Sequence, residues 1–322
     1  MAIIPCLNPD TYEPHTLHKG ERVWAETNCY VDVLIELIHA LGREPLAALP
    51  MVFRTDFEID QWTFYKFALA DLDELYGMEV QELNPWGSLA EHVQEQVAHG
   101  RPVLIELDSY YLPDTAGVAY RCVHQKSTVA VNDISIAEQR MGYFHGQGYY
   151  QLEGTDFVDI FQLDGLIHER MLPPYVELIK VRGHCVNQKS TLEKSIGILR
   201  RELASAPRRN PFQGFRNRFR ADLEWLSDSP MEVFHRYAFA TFRQFGTCFE
   251  LAQVYLEWLG GQGEEGLAES VDAFTRISSM AKIYQFQLAR AMARNKPLPL
   301  TPIDDMGDCW QNGMDHLHRR FS

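Results

Sequence analysis

Cys29 begins a run in which Tyr30, Leu34, Leu37, Ile38 and Leu41 recur at helical spacing, which places its thiol in the first turn of a helix. Asn28 or Thr27 can cap that helix and Gly42 can stop it. Unpaired backbone N–H groups and the positive end of the helix dipole stabilise an anion at this position. Both effects lower a thiol pKa and raise its thiolate fraction, as a cysteine nucleophile requires. The same N–H groups can form an oxyanion hole for a tetrahedral intermediate. A cysteine beside a cap is also simply a small apolar residue, so the chemical reading needs a base.

Of the twelve histidines, His124 lies within a strand-like run, CVHQKSTVAV, after a long β-rich segment. Alternation would put Cys122, His124, Lys126 and Thr128 on one mixed face, suited to a cleft wall. A nucleophile on the first long helix and a histidine on a later strand is the order of papain-like sites. Three residues qualify to orient the imidazole: Asp133 after the histidine strand, His145 on the next strand, and Asp108 ending the preceding one. Asn28 beside the nucleophile, and Tyr111 and Asp114 in the aromatic and acidic run 110–114, are the candidate substrate contacts. Such a run also suits core packing and turns, and acidic residues beside a nucleophile can hold an ammonium group.

Other chemistry has less support. His15 with His18 and His316 with His318 are close pairs, but no HExxH motif or Cys/His array accompanies them, so no metal is expected. GxxxxGK[ST] is absent, and no cofactor is expected.

The elements that must position these residues change character near residue 185. Before it, the spacing predicts helices over about 59–76 and 88–99. Strands follow at 101–108 and 122–131, with Asn132-Asp133 as a turn, and a third strand region covers 141–152. After it, nearly everything reads as helix: 191–204, a pair of helices opened by Asn210-Pro211 and Ser229-Pro230, a stretch broken at Gly246, about 264–294, and a short last helix. Ser229 followed by Glu232 matches a capping box. This is an α+β domain over 1–185 followed by a helical bundle over 186–322. The bundle has more apolar face than it buries alone, so it is expected to dock beside the Cys29 helix, with Arg243 and Glu250 near the cleft.

The 322 residues, 46% hydrophobic and 23% charged, are those of a globular chain, and a net charge of −14 argues against nucleic acid as partner. No apolar run reaches membrane-spanning length and no signal-like start is present. The six scattered cysteines (Cys6, Cys29, Cys122, Cys185, Cys248, Cys309) fit mostly buried thiols in a reducing cytosol.

The segments ERVWAETNCYVDVLIELIHALGREP, DFEIDQWTFYKF, ELDSYYLPDTAGVAYRCVHQKST, GYFHGQGYYQLEGTDF and FHRYAFATFRQFGTCFELAQVYLEWL resemble a bacterial family known as domain of unknown function 1839. That family is similar in turn to the N-terminal domain of butirosin biosynthesis protein H, a papain-like acyltransferase. The resemblance implies transfer of an aminoacyl-type group from a carrier-protein thioester to a small amine, with Cys29 taking the acyl group and His124 moving the proton. Where that group carries an acidic residue on the strand after its histidine, this chain has Tyr143-Phe144-His145. Hydrolysis by the same pair and a non-catalytic carrier-binding module are the competing expectations.

Overall fold

A computed structural model describes residues 2–24, 28–164, 174–182, 188–294 and 296–321. The expected Thr27 cap, Cys185 and a domain boundary near 185 lie outside the described residues. The fold is α+β: a sheet-rich N-terminal region followed by an all-helical C-terminal one. Contacts divide the chain into two units, and the first half contributes to both. One unit is Met1–Gly20, Asn28–Pro45 and Leu69–Val186; the other is Glu21–Thr27, Leu46–Ala68 and Asn187–Ser322.

The first unit is built on a six-stranded antiparallel sheet. Its order is Met78–Glu82, Val176–Val181, Val103–Asp108, Lys126–Ser135, Arg140–His145, Gly148–Glu153. Alternation gives the two faces different covers. On one, Val103, Ile105, Leu107, Val129, Val131 and Tyr143 pack with the helices Leu89–Ala98 and Gly154–Phe161. The other meets the Cys29–Ala40 helix, whose residues from Tyr30 to Ile38 are all buried. That helix is bounded as its sequence suggests, by the Asn28 cap and by Gly42 at φ 70°.

Two expectations fail in the first half of the chain. The dipeptide Asn132-Asp133 is not a turn; the strand runs on to Ser135, with an irregularity in register between Val131 and Asp133. A bulge absorbs the turn-forming residues there, and the Asn132 side chain pins the N-terminal segment. Its Oδ1 accepts from Ile4 N at 2.8 Å and its Nδ2 donates to Ile4 O at 3.1 Å. The helix expected over 59–76 is only Leu69–Tyr76. Before it, Phe57–Glu58 and Gln61–Trp62 form a minimal hairpin, since Phe57 and Trp62 pair across it and bury their rings on one face.

The second unit has the helices Gln188–Ala204, Pro211–Leu226, Met231–Ala238, Gln244–Gly261, Ala268–Arg294 and Thr301–Phe321. The last has 21 residues, so it is not short. Asn210 caps its helix as expected, accepting from Phe212 N at 3.1 Å. The capping box does not form: Ser229 Oγ instead donates to Trp225 O at 2.8 Å, closing the preceding helix. Nor does Gly246 break a helix. The irregularity is a π turn over Phe239–Arg243, and Gly246 lies inside the helix that follows.

Gly246 is glycine because the Trp24 indole lies against it: a Cβ there would sit 2.5 Å from the ring. Gly246→Ala is therefore expected to destabilise by about 1–3 kcal/mol by overpacking, although alanine has the higher helix propensity. Urea denaturation measures this, and a stabilised variant would refute the packing argument.

Candidate functional site

Asn28 is extended and its Oδ1 accepts from Val31 N at 2.9 Å, which starts the helix one residue later at Cys29. Asn28, expected to bind substrate, thus has a capping role. Cys29 is half-buried, with its Sγ 3.6 Å from Thr128 Oγ1. Three N-terminal residues brace this helix. Tyr12 Oη donates to Glu36 Oε2 at 2.5 Å and His15 N donates to Glu36 Oε1 at 3.1 Å. The buried His18 ring reaches Glu36 Oε1 through Nδ1 and Asp32 Oδ1 at 3.3 Å through Nε2. Burial works to lower the His18 pKa, but bonds to the two carboxylates outweigh it and raise the value. The stabilisation from the charged ring is present below its unfolded pKa and lost as pH rises through the raised one.

His15 behaves oppositely. Its Nδ1 accepts from Leu17 N at 3.2 Å, a role that needs an unprotonated ring. Burial first, and the neighbouring His39, push its pKa down to about 4. The unfolded chain then binds the extra proton between pH 6.5 and about 4. The contribution is present above 6.5 and lost as pH falls through that window, on the order of 3 kcal/mol. His15→Asn keeps a capping acceptor that does not titrate. Its denaturation midpoint is expected to fall less than the wild type's between pH 7 and 4, and parallel curves would count against the assignment.

His124 does not lie on a strand. Pairing begins at Lys126, and His124 precedes it with its side chain 67% exposed. Cys122 is likewise off the strand and exposed, so the four-residue face expected from alternation is really the pair Lys126 and Thr128. The His124 ring stacks on Tyr110 at 4.3 Å and its Nδ1 lies 2.6 Å from Asp108 Oδ2. The other oxygen of Asp108 accepts from Tyr110 N at 3.0 Å and Gln125 N at 3.2 Å, which fixes the carboxylate. Of the three expected orienters, Asp108 is the one that meets His124. Register pairs Asp108 with Lys126 and Glu106 with Thr128, so these four share the sheet face that Cys29 reaches. Among the described residues no hydrogen bond joins Cys29 to His124: the sulfur meets Thr128 and the ring meets Asp108.

Tyr111 also meets His124, its ring edge-on at 6.3 Å; the other expected site residues have other partners. Asp133 forms an ion pair with Arg140. His145 and Asp114 join Ser127 and Tyr143 on the opposite sheet face. Tyr111 is one of three tyrosines around the Arg121 guanidinium, which also pairs with Asp156 and Asp159. In the helical unit Arg243 lies over the Phe239 ring, and Glu250 is buried against Arg22. A cleft of about 560 Å³ opens at Asp114 and Tyr143, and neither Cys29 nor His124 lines it.

The five described cysteines are free thiols, and only Cys248 and Cys309 are buried, fewer than expected. Burial pushes the Cys248 thiol up to about 12, which removes it as a rival nucleophile. No group of three or more His, Cys, Asp or Glu side chains among the described residues is arranged to hold a metal ion. No helix among them is long and apolar enough to cross a membrane.

Two family models cover nearly the whole chain: the DUF1839 N-terminal domain matches residues 13–181, and the DUF1839 C-terminal domain matches residues 188–319. The chain belongs to the DUF1839 family. The N-terminal match takes in Cys29, Asp108 and His124, so the candidate site lies within one family domain. No curated protein matches the chain.

Proposed function

We propose that this DUF1839 protein is a cysteine acyltransferase of papain-like type, acting from a carrier-protein thioester on a small amine. The reading rests on one arrangement: Cys29 opens a helix on the same sheet face that carries the His124–Asp108 pair. In the first step the Cys29 proton passes to His124 and the thiolate attacks the thioester carbonyl carbon. The carrier thiol leaves with that proton. In the second the amine attacks the acyl-Cys29, an amide bond forms, and the thiol is restored. Asp108 holds Nδ1–H of the ring, leaving Nε2 to exchange the proton.

Intact mass after incubation with an aminoacylated carrier protein tests this. The aminoacyl increment is expected on Cys29 and absent from Cys29→Ala; an unmodified wild-type chain would sink the reading and favour a carrier-binding module. Hydrolysis is the second reading, favoured by the exposure of His124, to which water has open access. Adding an amine separates the two: amide product supports transfer, and free acid alone supports hydrolysis.

A further inference from the structure

On the sheet face away from Cys29, four residues form a continuous chain of hydrogen bonds. Ser127 Oγ lies 2.6 Å from His145 Nε2, and His145 Nδ1 lies 2.5 Å from Asp114 Oδ2. Tyr143 Oη donates to the other oxygen of Asp114. The carboxylate accepts from Nδ1–H, so Nε2 carries the lone pair and accepts from the Ser127 hydroxyl. Burial first, and the Asp114 charge, raise the Tyr143 pKa, so its phenol remains a donor.

Ordinary strand geometry produces the arrangement. Val129 pairs with His145, so Ser127, two residues before Val129, projects on the same side beyond the last residue of the Arg140–His145 strand. Asp114 comes from the 3-10 turn Pro113–Thr115. The cleft of about 560 Å³ ends on Asp114 and Tyr143, with Asp10, Glu153 and Tyr150 among its other walls. Ser127 and His145 are buried, each keeping 9% of its surface, and neither lines the cleft, which their hydrogen-bonded chain reaches through Asp114.

We propose that Ser127, His145 and Asp114 form a second nucleophilic centre, a serine–histidine–aspartate relay that cleaves small esters carrying no negative charge. The order of roles is nucleophile, base, orienter, at distances within hydrogen-bond reach. Ser127 Oγ bonds to the ester carbonyl carbon while His145 Nε2 takes its proton. The ester C–O bond breaks and the alcohol leaves with that proton. Water, deprotonated by the same nitrogen, then attacks the acyl-Ser127, releasing the acid and restoring the hydroxyl. Asp10 and Glu153 at the cleft disfavour anionic substrates.

A neutral fluorophosphonate tests the centre on the full chain. Attack by Ser127 expels fluoride and leaves a stable phosphonyl ester. The expected result is a single phosphonyl increment, mapped by peptide mass spectrometry to the peptide containing Ser127. It is expected to be absent from Ser127→Ala and formed at least ten-fold more slowly in Asp114→Asn. Mapping the wild type needs no variant, so a misfolded substitution cannot hide the answer. A chain left unmodified, or an increment on any other residue, overturns the proposal and leaves a hydrogen-bonded structural network. Since this probe reads Ser127 and the carrier-protein adduct reads Cys29, either result stands without the other.

Discussion

Truncation of Glu250 to alanine is expected to lower stability by about 3–5 kcal/mol, because it strands a buried guanidinium. Arg22 and Glu250 are 8% and 6% exposed, and Arg22 Nη2 donates to Glu250 Oε2 at 2.8 Å. The other oxygen accepts from Val23 N at 2.8 Å, so the carboxylate also holds the backbone of the 21–24 segment in the helical unit. Among the described residues Arg22 Nε and Nη1 have no other partner, and removal of Glu250 leaves the charge uncompensated in a buried site. Urea denaturation with matched m-values is the measurement. Glu250→Gln keeps one acceptor for Val23 N and is expected to fall between. The double change Arg22→Met with Glu250→Leu should recover most of the loss, since a buried pair exchanged for apolar volume is often neutral. A loss under 1 kcal/mol for Glu250→Ala would refute the buried-pair argument.

Loss of the His124 imidazole is expected to cut turnover at Cys29 by a factor on the order of a hundred or more, as removal of a general base does. His124 is largely exposed and its ring lies on Tyr110, so His124→Ala should leave the denaturation midpoint nearly unchanged. Asp108→Asn keeps an oxygen for Tyr110 N and Gln125 N while removing the charge that faces Nδ1. A drop of roughly ten-fold or more in turnover is expected, from a ring no longer held in one tautomer. Iodoacetamide labelling supplies an independent reading, with Cys29 expected to react faster than the more exposed Cys122 and the buried Cys248. Preferential labelling of Cys122, or His124→Ala within a few-fold of wild type, would remove this pair from the mechanism.

Much of the framework was legible in the residues. The Cys29 helix, its Asn28 cap and its stop at Gly42 follow from apolar period, a side-chain acceptor and a residue tolerant of positive φ, all of them local properties. The helical second half was legible for the same reason. The misreadings fall where a local signal competes with tertiary packing. Asn132-Asp133 carries turn residues, yet the strand continues because a bulge lets Asn132 bond Ile4, 128 residues away in sequence. The 57–62 segment is apolar enough for a helix, yet Phe57 and Trp62 gain more by facing each other across a hairpin beside Phe215. Gly246 has the signature of a helix break and serves instead as the seat of a tryptophan from residue 24.

The sequence by itself determined which side chains were available and where local structure would present some of them: a thiol at a helix N-terminus and acidic groups on neighbouring segments, though it put His124 inside a strand that begins only at Lys126. Only the tertiary structure decided their partners. Asp108 rather than Asp133 meets His124, because strand register brings residues 108 and 126 opposite each other while Arg140 takes Asp133. His145 turns away from Cys29 to Ser127 and Asp114, because side chains alternate along a strand and a shift of one residue puts a group on the other face of the sheet. Spacing along the chain carries helix and strand period, but register between strands distant in sequence is settled only when both faces find something to bury.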